Sequence, residues 1–281
     1  MTQNQSTSIE QDLRQIANIL LLNGTLTDCP GLVYGKTGIA IFFFHYAQHA
    51  GNDLFEKYAF DLIEAIQEQI HVNSPADYER GIAGIGVGLD YLIQNNFLEA
   101  DDDIFEDFDK RMYRAVMYDP CQDFSLYDGL TGYGRYWISR LHQLSSKQAQ
   151  ACLLRIARLI EEKLPDISVK EQTEVYCFLH DLCQIQGFEM CAKFLEKLEI
   201  PSTDFPRLDN STVVNIVRIC QHNRYFNSNL QDEINAALQQ IPDLDMEKSP
   251  ASIGFLTGYA GEGMLRLTAL QQTNISWMYL L

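Results

Sequence analysis

Basic residues are scarce in this chain: 21 lysines and arginines face 38 aspartates and glutamates over 281 residues, a net charge of −17. A surface that acidic repels phosphate backbones, so nucleic acid is excluded as a partner, while a basic peptide or protein is tolerated. The same charge also serves solubility. No run of about 20 uninterrupted apolar residues occurs, which excludes a membrane-spanning helix. The opening MTQNQSTSIEQDLRQ lacks the basic and apolar regions of a secretory signal. The seven cysteines are odd in number and scattered through helical stretches, unlike a disulfide framework. Both features point to a reducing cytoplasm. No βαβ pattern precedes any glycine-rich stretch, so a phosphate-cradling loop is excluded as well.

What is present is a repeat. Four segments share a G-x-x-G that opens an apolar helical run: Gly35 to Gly38, Gly81 to Gly84, Gly129 to Gly132 and Gly258 to Gly261. The leading glycines are 46, 48 and 129 residues apart, and the last gap is three times 43. Two further copies without glycines are therefore expected near 172 and 215, where TEVYCFLHDLCQI (173–185) and STVVNIVRICQH (211–222) have helical patterns. Glycine at a helix start lets backbones approach closely and permits turn dihedrals, so all eight glycines are read as packing residues. Such starts also leave backbone N–H groups pointing out of one end of the assembly.

A second set of helices, with charge on one face, is predicted at about 9–22, 54–71, 102–117, 147–163, 188–199 and 229–240. The glycine-led set is apolar nearly all round, as in IAIFFFHYA (39–47), which argues for burial on every side. With 46% hydrophobic residues the chain can bury one large core. Alternating buried and half-exposed helices, six of each, predict an all-α fold: an α/α toroid of about six helix pairs, one domain over 1–281. In the acidic run 101–109, Asp101 caps the third outer helix and the acids after it suit that helix's positive end.

With these glycines in view the chain resembles a lanthionine synthetase C-like protein. GLVYGKTGIAIFFFHYAQHAGND (31–53) is similar to the family's first repeat, and SPASIGFLTGYAGEGMLRLTALQQTNISWMYLL (249–281) to its closing repeat and short tail. YERGIAGIGVGLDYLIQNN (78–96) and SLYDGLTGYGRYWISRL (125–141) fit internal repeats. The resemblance implies lanthipeptide-type peptide maturation, in which a cysteine thiol adds to a dehydrated serine or threonine. Family members hold a catalytic zinc through two cysteines and a histidine that directly precede motif glycines.

Here the pairs before the glycines are Val33-Tyr34, Glu79-Arg80, Tyr127-Asp128 and Leu256-Thr257, none of them a Cys/His set. No metal and no cofactor are therefore expected, and the leading reading is a degenerate, zinc-free member that binds a peptide or partner protein. A substitute zinc site would draw on Cys177, His180, Cys183, Cys220 and His222, although i and i+6 diverge by about 120° on one helix. Simple burial among the helices is the competing account of these thiols. His45, His49 and His142 are read as packed or hydrogen-bonded. Asp77, Glu79, Asp128 and Glu262 sit at inner-helix starts, with Tyr34, Lys36, Tyr78, Arg80, Tyr127 and Tyr259 sharing that rim. They suit a peptide or saccharide, or serve as caps and inter-helix partners. The four carboxylates are also what a glycoside-cleaving toroid would need.

Overall fold

Every regular element among the described residues is helical, as expected. The structure is a computed structural model that describes residues 3–71, 73–99, 104–143, 146–198, 213–226, 229–245, 249 and 251–281. Odd-numbered helices alternate along the chain with even-numbered, glycine-led or degenerate ones. The first set is α1 (Gln3–Asn23), α3 (Asp53–Gln69), α5 (Glu106–Met117), α7 (Lys147–Lys163), α9 (Ala192–Leu195) and α11 (Gln231–Gln239). The second is α2 (Lys36–Ala50), α4 (Ile82–Gln94), α6 (Leu130–Gln143), α8 (Val169–Cys183), α10 (Val213–Tyr225) and α12 (Tyr259–Ala269). Contacts divide the chain into two compact units. One comprises Met1–Ile70, Gln94–Phe97 and Arg207–Leu281, the other His71–Ile93 and Leu98–Pro206.

In the first unit, α2 is buried without a break from Lys36 to Ala47. Its neighbour α3 buries only Ala59, Leu62, Ile63 and Ile66, one stripe at helical spacing. Aromatic rings knit the pair, with Phe43 and Tyr58 4.8 Å apart edge to face. The link between them is short because α2 ends on Gly51 in the left-handed region and Asn52 then caps α3 through Leu54 N–H. The chain's end returns to its beginning, since α12 packs on both α1 and α2. The closing 3₁₀ turn Ile275–Leu280 buries Trp277, whose indole N–H donates to Thr268.

In the second unit, α6 packs on α7 and α8. Ser146 caps α7, and a capping box formed by Ser168 and Glu171 starts α8. The Glu171 carboxylate also accepts the N–H groups of Phe124 and Ser168. These bonds, the one from the Ser168 hydroxyl foremost, hold its pKa below the usual carboxylate value. Their contribution is therefore full above the ordinary carboxylate pKa and is lost as pH falls through the lowered one. Ser168→Ala is expected to lower stability by about 1 kcal/mol. Glu171→Gln should cost stability in neutral denaturant melts and cost little in acidic ones.

Three of the odd-numbered helices differ from expectation, and the first of them, α1, begins at Gln3 rather than 9. α5 begins at Glu106 rather than 102, with buried Phe105 at its N-cap under the Arg140 guanidinium, 4.1 Å from the ring centre. Anchoring Phe105 in this way starts the helix after it. Asp101 lies outside the described residues, while Glu106, Asp107 and Asp109 fill the first turn as the dipole favours. The stretch expected at 188–199 gives a 3₁₀ turn, Glu189–Cys191, and the single-turn α9. Only Phe188, Cys191, Phe194 and Leu198 are buried there, too thin a stripe to drive a longer helix.

Candidate functional site

The four glycine turns are built alike. The residue after each leading glycine donates its N–H to the carbonyl seven residues back: Lys36 to Cys29, Ile82 to Pro75, Leu130 to Asp123 and Tyr259 to Ser252, at 2.8–2.9 Å. The preceding loop thus folds across the start of its own helix. A Cβ on the leading glycine would lie 2.3–2.5 Å from those same carbonyl oxygens. The second glycine meets the carbonyl of Leu32, Leu126 or Phe255, at 2.5, 2.2 and 2.1 Å from Gly38, Gly132 and Gly261. Backbone atoms cannot step aside as a flexible side chain can, so only glycine fits.

This geometry corrects one expectation. The first N–H groups of these helices do not point outward, because the loop carbonyls consume them. A further glycine, five residues after the leader, abuts an aromatic ring: Gly86 on Tyr136, Gly134 on Phe178 and Gly263 on Phe42. Each ring stands seven residues after its own repeat's leading position if the degenerate copy is led by Glu171. That places the fourth repeat one residue from the predicted 172.

Neighbouring turns are stitched together in one register. Tyr78 and Glu79 N–H both donate to Tyr127 C=O, and Phe255 and Leu256 N–H both donate to Val33 C=O. In the degenerate fourth repeat a side chain takes over this role, as Leu126 N–H donates to the Glu174 carboxylate at 2.7 Å.

Of the rim candidates, few are free to bind. Asp77 accepts the N–H groups of Arg80 and Gly81 and is a turn cap. Glu79 pairs with Arg80 at 2.9 Å. Glu262 holds the fully buried Arg266 at 2.6 Å. Tyr78 is completely enclosed, and burial pushes its phenol up while Arg135 bonds it. Tyr259 is enclosed too, with its phenol raised by burial and then by Asp245. These side chains are expected on an open rim; Tyr78 instead packs against the next repeat, where a Cβ on Gly132 would lie 2.7 Å from its own. Lys36 is likewise buried. Tyr34, packed over Gly254, remains part-exposed, Tyr127 is half-buried and Asp128 exposed.

A group the motif reading passed over is Tyr133, whose phenol is pushed up to about 12 by burial, then by Cys121 and Asp77, against the lowering influence of Arg111. It occupies the fourth place after Gly129, the same register place as Glu262 after Gly258. A polar residue recurring on the first turn of an inner helix was the available signal.

The residues offered for a substitute zinc do not assemble. Among the described residues no three His, Cys, Asp or Glu side chains stand together as a metal's donors would. Cys220 lies buried with its sulfur 3.4 Å from that of Met278, and burial lowers the His222 pKa. Cys177, His180 and Cys183 lie on α8, in the other unit. Of the remaining histidines, His45 is buried and His49 bonds Glu10 at 3.0 Å, while the side chain of His142 lies outside those described. Burial pushes the thiols of Cys152, Cys191 and Cys220 up to about 12, so they stay protonated. These three are expected to resist alkylation in the native protein and to react once it is denatured. Cys29, Cys121 and Cys177, all part-exposed, should react first, as peptide mapping by mass spectrometry would read out.

No protein-family profile matches the chain, and no curated protein matches it.

Proposed function

We propose that this chain keeps the α/α-toroid scaffold of a lanthionine synthetase C-like protein and uses it to bind a peptide, without zinc-activated thiol addition. The observation that carries the reading is the repeated turn. Four copies share one hydrogen-bond register, and the same stitch that joins the second repeat to the third joins the last to the first. A repeat whose last copy pairs with its first is what a closed ring requires.

The peptide is assigned from the surface beside the turns. In the second unit Tyr127 and Asp128 remain accessible there, and the net charge of −17 favours a basic chain. Among the described residues no donor set suits zinc, so the chain is read as binding its peptide rather than activating a thiol. The proposal includes a cytoplasmic location, in keeping with seven cysteines that form no disulfide with one another.

Two measurements on the full chain test it. Elemental analysis of untagged protein should find zinc far below one per chain. Calorimetry with a lysine-rich, dehydroalanine-containing peptide should show binding that Asp128→Asn and Tyr127→Ala weaken by about tenfold together, the equivalent of about 1.4 kcal/mol. Equimolar zinc, or binding untouched by both substitutions, would overturn the reading.

A further inference from the structure

At the other end of the inner helices, within the first unit, lies a cleft of about 860 Å³. The glycine turns precede the N-termini of α2 and α12, whereas this cleft is bordered by the last turns of the same two helices, by α11 and by the turn Asn95–Phe97. Its chemistry is unlike the rest of the protein. In a chain with 38 acidic residues, no Asp, Glu, Lys or Arg is among the described residues that line it. Eight of its lining residues are asparagine or glutamine, and two are threonine. Its histidine, His45, is buried, and desolvation holds its pKa at about 4, so it is neutral at physiological pH.

We propose that this cleft is a binding site for a neutral saccharide. Every sugar hydroxyl both donates and accepts a hydrogen bond, and every carboxamide offers both a carbonyl and an NH₂. A wall of carboxamides therefore matches a polyhydroxylated surface without any fixed charge. An anionic ligand finds no cation among the described lining residues and meets the negative ends of α2 and α12. A cationic one finds no carboxylate. Phe97, edge-on to His45 at 4.7 Å, together with Leu238 and Ile275, supplies apolar surface for the C–H faces of a pyranose.

Two independent features mark the cleft as built for a ligand. The described residues other than glycine with positive φ are Asn96 and Gln271, both at 59°. Gln271 lines the cleft, and Asn96 sits between lining residues Asn95 and Phe97. Gln271 ends α12 in a Schellman turn, its N–H bonded to Thr268 C=O and that of Gln272 to Leu267 C=O, at the position that favours glycine. The chain keeps a carboxamide there against its backbone preference, the pattern expected where strain serves a site. In addition, Gln231 and Asn235 are already hydrogen-bonded to each other at 3.2 Å, which presets the carboxamides of one wall.

The inference stands apart from the peptide reading, since none of the residues used here borders a glycine turn. Saturation-transfer NMR on the full chain would probe millimolar maltotriose, cellotriose and chitotriose, with an uncharged Gly-Ser-Asn peptide as the comparison. At least one trisaccharide should receive transfer, and Asn235→Ala, an exposed position, should weaken its binding by about fivefold. Gln271→Gly is the more telling variant: it relieves the backbone and should raise Tm by about 2 °C while weakening sugar binding. Transfer to no sugar, transfer that survives both substitutions, or transfer to the peptide alone would overturn the proposal.

Discussion

Arg266→Met is expected to destabilise the protein by about 3–5 kcal/mol. The guanidinium is wholly enclosed, and its bonds reach three elements: Asp12 on α1 at 2.9 Å, Glu262 on α12 at 2.6 Å, and the carbonyl of Pro242 at 3.1 Å. Methionine matches much of the volume yet leaves two carboxylates, 15% and 18% exposed, facing each other without a counter-charge. The cost is in the stranded partners more than in the lost bonds. The double variant Asp12→Asn/Glu262→Gln combined with Arg266→Met should therefore recover part of the loss. Urea unfolding of the set would check this; equal stability of Arg266→Met and wild type would mean the ion pairs contribute nothing.

Gly258→Ala should be nearly as damaging, at about 3 kcal/mol, although it adds one methyl. The new carbon would lie 2.2 Å from Gly254 N, 2.5 Å from Ser252 O and 2.6 Å from Gly254 O. All three are backbone, so relief requires the whole turn to open, and with it the bonds of Phe255 and Leu256 to Val33. Gly51→Ala is the control. Its φ of 60° disfavours a side chain, but nothing lies within 4 Å, and about 1 kcal/mol is expected. A thermal melt ordering the three proteins as wild type, Gly51→Ala, Gly258→Ala confirms that close approach, and not dihedral freedom, explains the motif.

That ordering also explains what could be read from the residues alone. The helices were legible because burial is periodic: the bounds of α7 coincide with the prediction at 147–163, and the fourth repeat was located to one residue by counting. Spacing alone could not say which way the loops fold. The carboxylates at 77, 79 and 262 were legible as helix-start residues, yet Asp77 and Glu262 are committed to a cap and an arginine by tertiary contacts that leave no trace in local pattern. The carboxamide cleft is illegible in the sequence for a different reason. Its residues are scattered between 45 and 275, each unremarkable at a helix end, and only the fold assembles them.

The return of α12 to α1 and α2 also shapes how the chain is made. Phe42 has to wait for Gly263, and Asp12 for Arg266, a separation of 254 residues. At a ribosomal pace of roughly 5–20 residues per second, the run IAIFFF leaves the exit tunnel on the order of 10–40 s before its last partner exists. During that interval the most hydrophobic helix of the first unit has α3 beside it and α1 bonded to it through Glu10 and His49, while the face that meets α12 stays open. Truncations that remove α12 should therefore aggregate far more readily than their small size suggests.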